Sequence, residues 1–344
     1  AEPFLDFSGE DIRRRMFLTT DAEGREYCLR PDLTIPVSRD YLASARAGGP
    51  AGFCYLGPVF RQRRGGRAEF LQAGIESFGR RDVAAADAEM LSLALEATSH
   101  YGLPSPEIRV GDVALFSALL DALALTPGWK RRLLKDFNRA GNLAQDLDRL
   151  AADATRSKPE YQGVLAALSG SDPKAARALI ADLLSIAGIT QVGGRTVGEI
   201  ADRFLEQAEL GAAAGLPGEA KRLIERFLSI AGDPDAAAAE MRALADDAGL
   251  KLDPVLDLFE SRTGFLAARG VDVGRIRFAT AFGRGFDYYT GVVFELHDPQ
   301  ARSPQLVAGG RYDGLLSRLG AAAPIPAVGF AVWIDRLSGL GGAP

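Results

Sequence analysis

The chain has 344 residues, 47 % of them hydrophobic and 25 % charged, with a formal net charge of −5; it can bury two or more cores, and its acidic balance argues against coating nucleic acid. Two cysteines without a CxxC spacing, Cys28 and Cys54, and two histidines, His100 and His297, are too few for a disulfide framework, a zinc centre or a histidine-based triad, so no metal is expected and a reducing cytoplasm is the simplest setting. No apolar run approaches the ~20 residues of a membrane span, so no membrane partner is expected.

The first ~112 residues read as mixed strands and turns. Turn signals fall at Ser8–Gly9 and across Asp21–Gly24, with short apolar runs between them. "VFRQRRGGRAEF" (59–70) sets Arg61, Arg63, Arg64 and Arg67 around a glycine pair. Guanidinium groups beside such a turn can hold a phosphate or carboxylate through paired N–H donors. "EFLQAGIESF" (69–78) alternates as a strand, with Leu71, Ala73 and Ile75 toward a core and Gln72, Gly74 and Glu76 on the other face. That second face is either solvated or approached closely by a ligand at Gly74. "ADAEMLSLALEATSHYG" (86–102) predicts a helix that ends near His100 with a glycine stop. "EIRVGD" predicts a strand and "VALFSALLDALAL" a helix.

From 127 to about 265 the chain is rich in Ala, Leu, Asp, Glu and Arg and lacks strand patterning. "EAKRLIERFLSIAG" and "DAAAAEMRALADDAG" show 3.6-residue periodicity with glycine stops and no fixed repeat. This predicts an all-α insertion, serving either as scaffold or in recognition. After about 274 strands return in "RIRFATAF", "GVVFELHD" (ending at His297) and "SPQLVAGG". A final helix is expected over "AVGFAVWIDRLSGL". The fold class is therefore α+β, with a discontinuous core (1–126 and 266–344) split by the insertion.

Two further stretches are dense in special residues. In "GRGFDYYTGVVFE", Arg284 sits between two glycines, and Tyr289, Gly291, Val293 and Glu295 are expected on one strand face. "LVAGGRYDGL" pairs a double glycine with an Arg-Tyr-Asp turn. Together with 69–78 these supply donors, acceptors and glycine gaps of the kind a zwitterionic amino acid requires.

These stretches resemble a known family. "GPVFRQRRGGRAEFLQAGIESFG" is similar to motif 2 of class II aminoacyl-tRNA synthetases, "PAVGFAVWIDRL" to motif 3, and "LRPDLT" to a conserved loop. "GRGFDYYTGVVFE" and "LVAGGRYDGL" resemble the two signatures of histidyl-tRNA synthetases. The resemblance implies an antiparallel sheet flanked by helices, in a homodimer. It assigns Asp32, Thr34 and Gln72 to the α-amino group of histidine, Glu76 and Tyr289 to the imidazole, and Arg61 and Arg284 to the carboxylate and α-phosphate, with Tyr288 also in the histidine site. Asp32 is one methylene shorter than the family's glutamate.

The nucleotide half departs from that pattern. Arg63 stands where motif 2 carries a glutamate, and Trp333 where motif 3 carries a glycine. On a helix, Gly329, Trp333 and Arg336 would share a face, placing an indole beside the phosphate-binding arginine. Motif 1 is mostly missing, and no anticodon-binding domain is expected. This combination resembles the regulatory subunits of short-form ATP phosphoribosyltransferase. The resemblance implies a non-catalytic protein without cofactor or tRNA. It would assemble with the short catalytic subunit, typically as a hetero-octamer, and respond to histidine. The competing expectations are an aberrant histidyl-tRNA synthetase core that still forms an adenylate, and a paralogue that senses uncharged tRNA.

Overall fold

The computed structural model describes residues 12–63, 67–137, 216–283, 288–300 and 305–339, with short stretches elsewhere. The expected turn at Ser8–Gly9, the Arg64–Gly66 stretch and Arg284 lie outside the described residues, as does most of 138–215.

Asp21 organises the first turn: its carboxylate accepts from the backbone N–H of Glu23 (3.1 Å) and Arg25 (2.8 Å), closing the hairpin of β1 (Leu18–Thr20) and β2 (Glu26–Cys28). Helix α1 (Thr34–Ala43) leads to the long hairpin β3 (Ala51–Phe60) and β4 (Glu69–Phe78), followed by α2 (Val83–His100), β5 (Glu107–Asp112), α3 (Val113–Ala122) and α4 (Pro127–Phe137). Asp112 ends β5 and starts α3, accepting from the N–H of Ala114 at 2.9 Å. Beyond a small hairpin, β6 (Gln191–Val192) and β7 (Arg195–Thr196), come α5 (Gly218–Leu228), β8 (Ala231–Gly232), α6 (Pro234–Ala248) and α7 (Asp253–Ala268). Asp233 caps α6 ahead of Pro234, and Gly249 ends it at φ 65°. The chain closes with β9 (Ile276–Ala279), β10 (Val292–His297), β11 (Val307–Arg311), α8 (Leu315–Arg318), β12 (Ala327–Trp333) and α9 (Ile334–Leu337).

Eight strands form one sheet in the order β3-β4-β12-β11-β10-β5-β9-β8, antiparallel except for the parallel pair β5–β9. Helix α2 lies against β10, β11 and β12, and α7 packs on α2. Stacked rings of Phe116 and Phe137 (4.5 Å) and of Phe116 and Phe227 (6.1 Å) join α3, α4 and α5 in the same apolar core. The described helices of 127–265 thus share that core, while the centre of the expected insertion lies outside the described residues. Among the described residues no helix is long and apolar enough to cross a membrane.

The final segment differs from expectation. "AVGFAVW" is strand β12, and only Ile334–Leu337 is helical. A strand covered on both faces reads as an unbroken apolar run, which periodicity alone does not separate from a buried helix. Gly329 and Trp333 still share a side, now through the two-residue period of a strand, while Arg336 follows on α9. The two faces of β4 also differ from their reading. Leu71 is 42 % exposed and Ala73 and Ile75 are half-buried, whereas Gln72, Gly74 and Glu76 are the deeply buried side. Tyr289 and Gly291 precede β10 rather than belonging to it.

Candidate functional site

The buried polar face of β4 is the floor of the site. Its neighbour β12 places Gly329 opposite Glu76, Ala331 opposite Gly74 and Trp333 opposite Gln72. The glycines make room for neighbouring protein groups rather than for a ligand, contrary to the sequence reading of Gly74. A Cβ on Gly329 would fall 1.8 Å from Oε2 of Glu76, and one on Gly74 would fall 2.3 Å from the Tyr55 ring. Gly291 gives way in the same manner to the side chain of Arg311 (3.0 Å).

One cavity of about 360 Å³, counting its open mouth, is lined by Asp32, Thr34, Arg61, Gln72, Glu76, Tyr288, Tyr289, Tyr312 and Trp333. Of the histidine-site residues expected from sequence, only Arg284 is missing from this group, because it lies outside the described residues. The interior is narrow, so a ligand of amino-acid size enters only with movement of the lining side chains. Tyr288 and Tyr289 form an aromatic wall with ring centroids 4.8 Å apart, and Tyr288 meets Tyr312 edge-on at 5.8 Å.

The electrostatics follow from burial. Desolvation pushes Glu76 up to about 7, against the opposing pull of hydrogen bonds from the Tyr312 and Thr34 hydroxyls. Tyr312 donates to Oε2, while Oε1 has no hydrogen bond of good geometry among the described residues. Asp32 is likewise raised by burial, with Arg61 pulling the other way. Its Oδ1 accepts from the N–H of Ile35 at 3.2 Å, and its Oδ2 has no partner among the described residues. Oε1 of Gln72 likewise has no partner among them. Among the described residues, three buried acceptors therefore border one cavity without donors of their own. Such groups carry a desolvation penalty that a ligand bearing N–H donors relieves.

At the other end stand the arginines. Arg61 is 6 % exposed, donates Nε to the carbonyl of Pro31 at 2.6 Å, and is lowered to about 10 by burial. The Arg63 guanidinium lies 3.9 Å from the Phe70 ring centre, and that of Arg336 lies 5.0 Å from Trp333. Arg67 lies apart, beside Glu69, Leu71 and Asp335.

Two residues escaped the sequence reading. Tyr312 was visible within "GGRYDGL", but only the tertiary contact to Glu76 gives it a role. Tyr55 lies across the hairpin from Gly74, and no local pattern marks it.

The family model described as histidyl-tRNA synthetase matches residues 1–195 and 201–337. A protein of Brucella canis named ATP phosphoribosyltransferase regulatory subunit is 45 % identical, over 99 % of this chain and 91 % of its own length. A protein of the same name from Brucella abortus is also 45 % identical, over 99 % of this chain and 90 % of its own. Among solved structures, an ATP phosphoribosyltransferase regulatory subunit/histidyl-tRNA synthetase from Bacillus halodurans superposes with a TM-score of 0.62 at 24 % identity, over 96 % of this chain and 69 % of that one. A histidine–tRNA ligase subunit from Alicyclobacillus acidocaldarius gives 0.55 at 26 % identity, over 98 % and 83 %. With a class II synthetase-like sheet and near-full-length relatives of one name, the chain belongs to the family of ATP phosphoribosyltransferase regulatory subunits.

Proposed function

We propose that this regulatory subunit binds free L-histidine in the cavity between β4, β12 and the Tyr288–Tyr289 wall, and conveys feedback inhibition to a short-form catalytic subunit. The observation that carries this reading is the convergence of three buried, unpaired acceptors, on Asp32, Gln72 and Glu76, in one cavity. An α-ammonium fits Asp32 and Gln72, with Thr34 beside them. An imidazole N–H fits the open oxygen of Glu76. Arg61, and in our reading Arg284, meets the carboxylate.

The subunit performs no aminoacylation in this reading. Trp333 occupies the wall where a nucleotide base would lie, and Arg63 replaces an acid with a cation. Titration calorimetry with L-histidine tests the proposal. Saturable binding with one site per chain is expected, and absence of heat at millimolar histidine would overturn it. The alternative, a synthetase core that forms an adenylate, is favoured by the retained Arg336. It predicts histidine-dependent exchange of pyrophosphate into ATP, and no exchange removes it.

Effector binding alters activity only through unequal affinity for two states of the assembly. We place the chain in a homodimer within a hetero-octamer with the catalytic subunit. Leu56 (69 % exposed) and Leu71 (42 % exposed) support the homodimer, since they crowd one face of the β3–β4 hairpin. Light scattering of Leu56→Asp should then give a smaller particle than the parent chain. An unchanged mass would place the dimer contact elsewhere.

A further inference from the structure

The stretch 310–312 of β11 touches two sides of the cavity, although Arg311 is not among the residues that line it. The ring of Tyr289 lies against Gly310, where a Cβ would fall 2.8 Å from its Cε1 and 2.9 Å from its Cδ1. The hydroxyl of Tyr312 donates to Glu76 on the floor. Between these two, the carbonyl of Arg311 accepts from the N–H of Thr290 at 2.8 Å. The stem of the same arginine fills the space beside Gly291, where a Cβ would fall 3.0 Å from its Cδ. Three successive residues thus carry the support of the Tyr288–Tyr289 wall and the donor to Glu76.

What fixes that stretch is the buried guanidinium of Arg311. Strand alternation turns it to the other face of the sheet, where α2 packs. Its Nε donates to Asp87 at 2.8 Å, its Nη1 to Asp313 at 2.8 Å and its Nη2 to the carbonyl of Val83 at 3.3 Å. Asp313 extends the connection in two directions. Its carboxylate accepts from the N–H of Ala327 at 2.8 Å, where β12 begins, and its own N–H donates to the Thr290 hydroxyl at 2.9 Å. One side chain therefore ties α2, the turn after β11, the start of β12 and the residue that follows the tyrosine wall. A planar fork of donors can reach these acceptors together, and a compact ammonium cannot.

We propose that Arg311 is a positioning residue for the amino-acid site, setting the Tyr288–Tyr289 wall and the Glu76–Tyr312 pair relative to one another from the opposite face of the sheet. This role rests on the reading of the cavity as a histidine site. Arg311 acts through its neighbours, because each bond of its guanidinium goes to a protein group. Walls already ordered in the empty chain lower the cost of seating a ligand. Without the brace the same polar groups remain, spread over geometries that do not all fit the ligand.

Arg311→Lys and Thr290→Val separate the two arms of the brace. Lysine keeps a charge beside Asp87 but loses the fork, and should loosen both walls. Valine keeps the shape of the exposed Thr290 and removes only the hydroxyl that accepts from Asp313, so it should loosen the tyrosine wall alone. Titration calorimetry with L-histidine on the full chain should show roughly tenfold weaker binding for Arg311→Lys and severalfold weaker binding for Thr290→Val. Glu76 is faced by Asp32, Tyr55 and Tyr312, and of these only Tyr312 adjoins Arg311. The acid limb of the binding profile should therefore move upward in pH for Arg311→Lys and stay in place for Thr290→Val. An arginine that only supported the fold would lower stability and leave that limb unmoved. The tyrosine band of the near-UV circular dichroism, recorded without histidine, should change in both variants. Parent affinity in either folded variant, or the parent band in both, would overturn the proposal. Thr290→Val, isosteric and at the surface, keeps the test decisive should Arg311→Lys fail to fold. An altered band in the variants, with no histidine bound by the parent chain, would remove the histidine reading and leave Arg311 as the brace of the cavity.

Discussion

The Tyr312 hydroxyl donates to one oxygen of Glu76, and the other oxygen of the same buried carboxylate has no hydrogen bond of good geometry among the described residues. One half of the carboxylate is therefore fixed by the fold, and in the proposed function the other takes the ligand's N–H. A buried carboxylate held in this state is a source of instability that the apo protein carries.

The sign of that instability sets the first prediction. Burial raises Glu76 from 4.5 to about 7 in the folded chain. Below pH 4.5 the group is protonated in both folded and unfolded chains, and stability is unaffected. As pH rises to about 7 the unfolded chain ionises first, and stability falls by up to about 3 kcal/mol. Glu76→Gln should therefore raise the thermal midpoint at pH 8 relative to the parent chain, with the gain vanishing near pH 4.5. The same variant should lose L-histidine binding in calorimetry. A variant destabilised at pH 8 would show that the carboxylate supports the fold.

Tyr312→Phe removes the donor that favours the charged form of Glu76. The carboxyl should then titrate above 7, and the acid limb of histidine binding should move upward in pH. The lost hydrogen bond leaves Oε2 buried and unpaired, which costs about 1–3 kcal/mol of stability. Affinity measured from pH 6 to 8.5 checks the shift. A parallel profile displaced by a constant factor would mean that Tyr312 only shapes the cavity.

Gly329 separates steric from conformational demands. A Cβ there would lie 1.8 Å from Oε2 of Glu76 and 2.5 Å from the backbone carbonyl of Ile75. The carboxylate could swing aside, but the paired strand could not. Gly329→Ala should cost at least about 1–3 kcal/mol by overpacking. Gly52, on the hairpin's outer strand, has nothing within 4 Å of a built Cβ. Gly52→Ala should leave the urea midpoint within experimental error of the parent.

How much of this was legible in the sequence depends on whether the determinant was local. The alternation of Gln72, Gly74 and Glu76 placed them on one face, and the carboxylate at the end of "EIRVGD" fell where α3 needed its cap. The direction of that face was misread, because buried polar groups and the half-exposed Leu71 invert the usual hydrophobic rule beside this polar cavity. β12 was taken for a helix because both of its faces are covered. For Gly74 the sequence left a solvated face or a close ligand open, since its true neighbour, Tyr55, comes from another strand. Tyr312 could be quoted from its motif but not connected to Glu76, which lies 236 positions away in the chain.

Asp87 links the sheet to the helices through charges that are almost wholly buried. Its two oxygens accept from Arg262 on α7 (3.0 Å) and Arg311 on β11 (2.8 Å), and Arg262 reaches on to Asp112 (2.8 Å). Arg311 immediately precedes Tyr312, so the cluster also braces the residue that holds Glu76. Asp87→Asn leaves two guanidinium groups facing a neutral amide in a dry interior, and a loss of about 3–5 kcal/mol is expected. Arg242 provides the contrast. It meets Asp253, Asp257 and Glu260, yet it is 33 % exposed and its partners more so. Solvent screening weakens such surface pairs, so Arg242→Ala should shift the urea midpoint far less than Asp87→Asn. If the two variants unfold at the same denaturant concentration, burial is not what makes the Asp87 cluster strong.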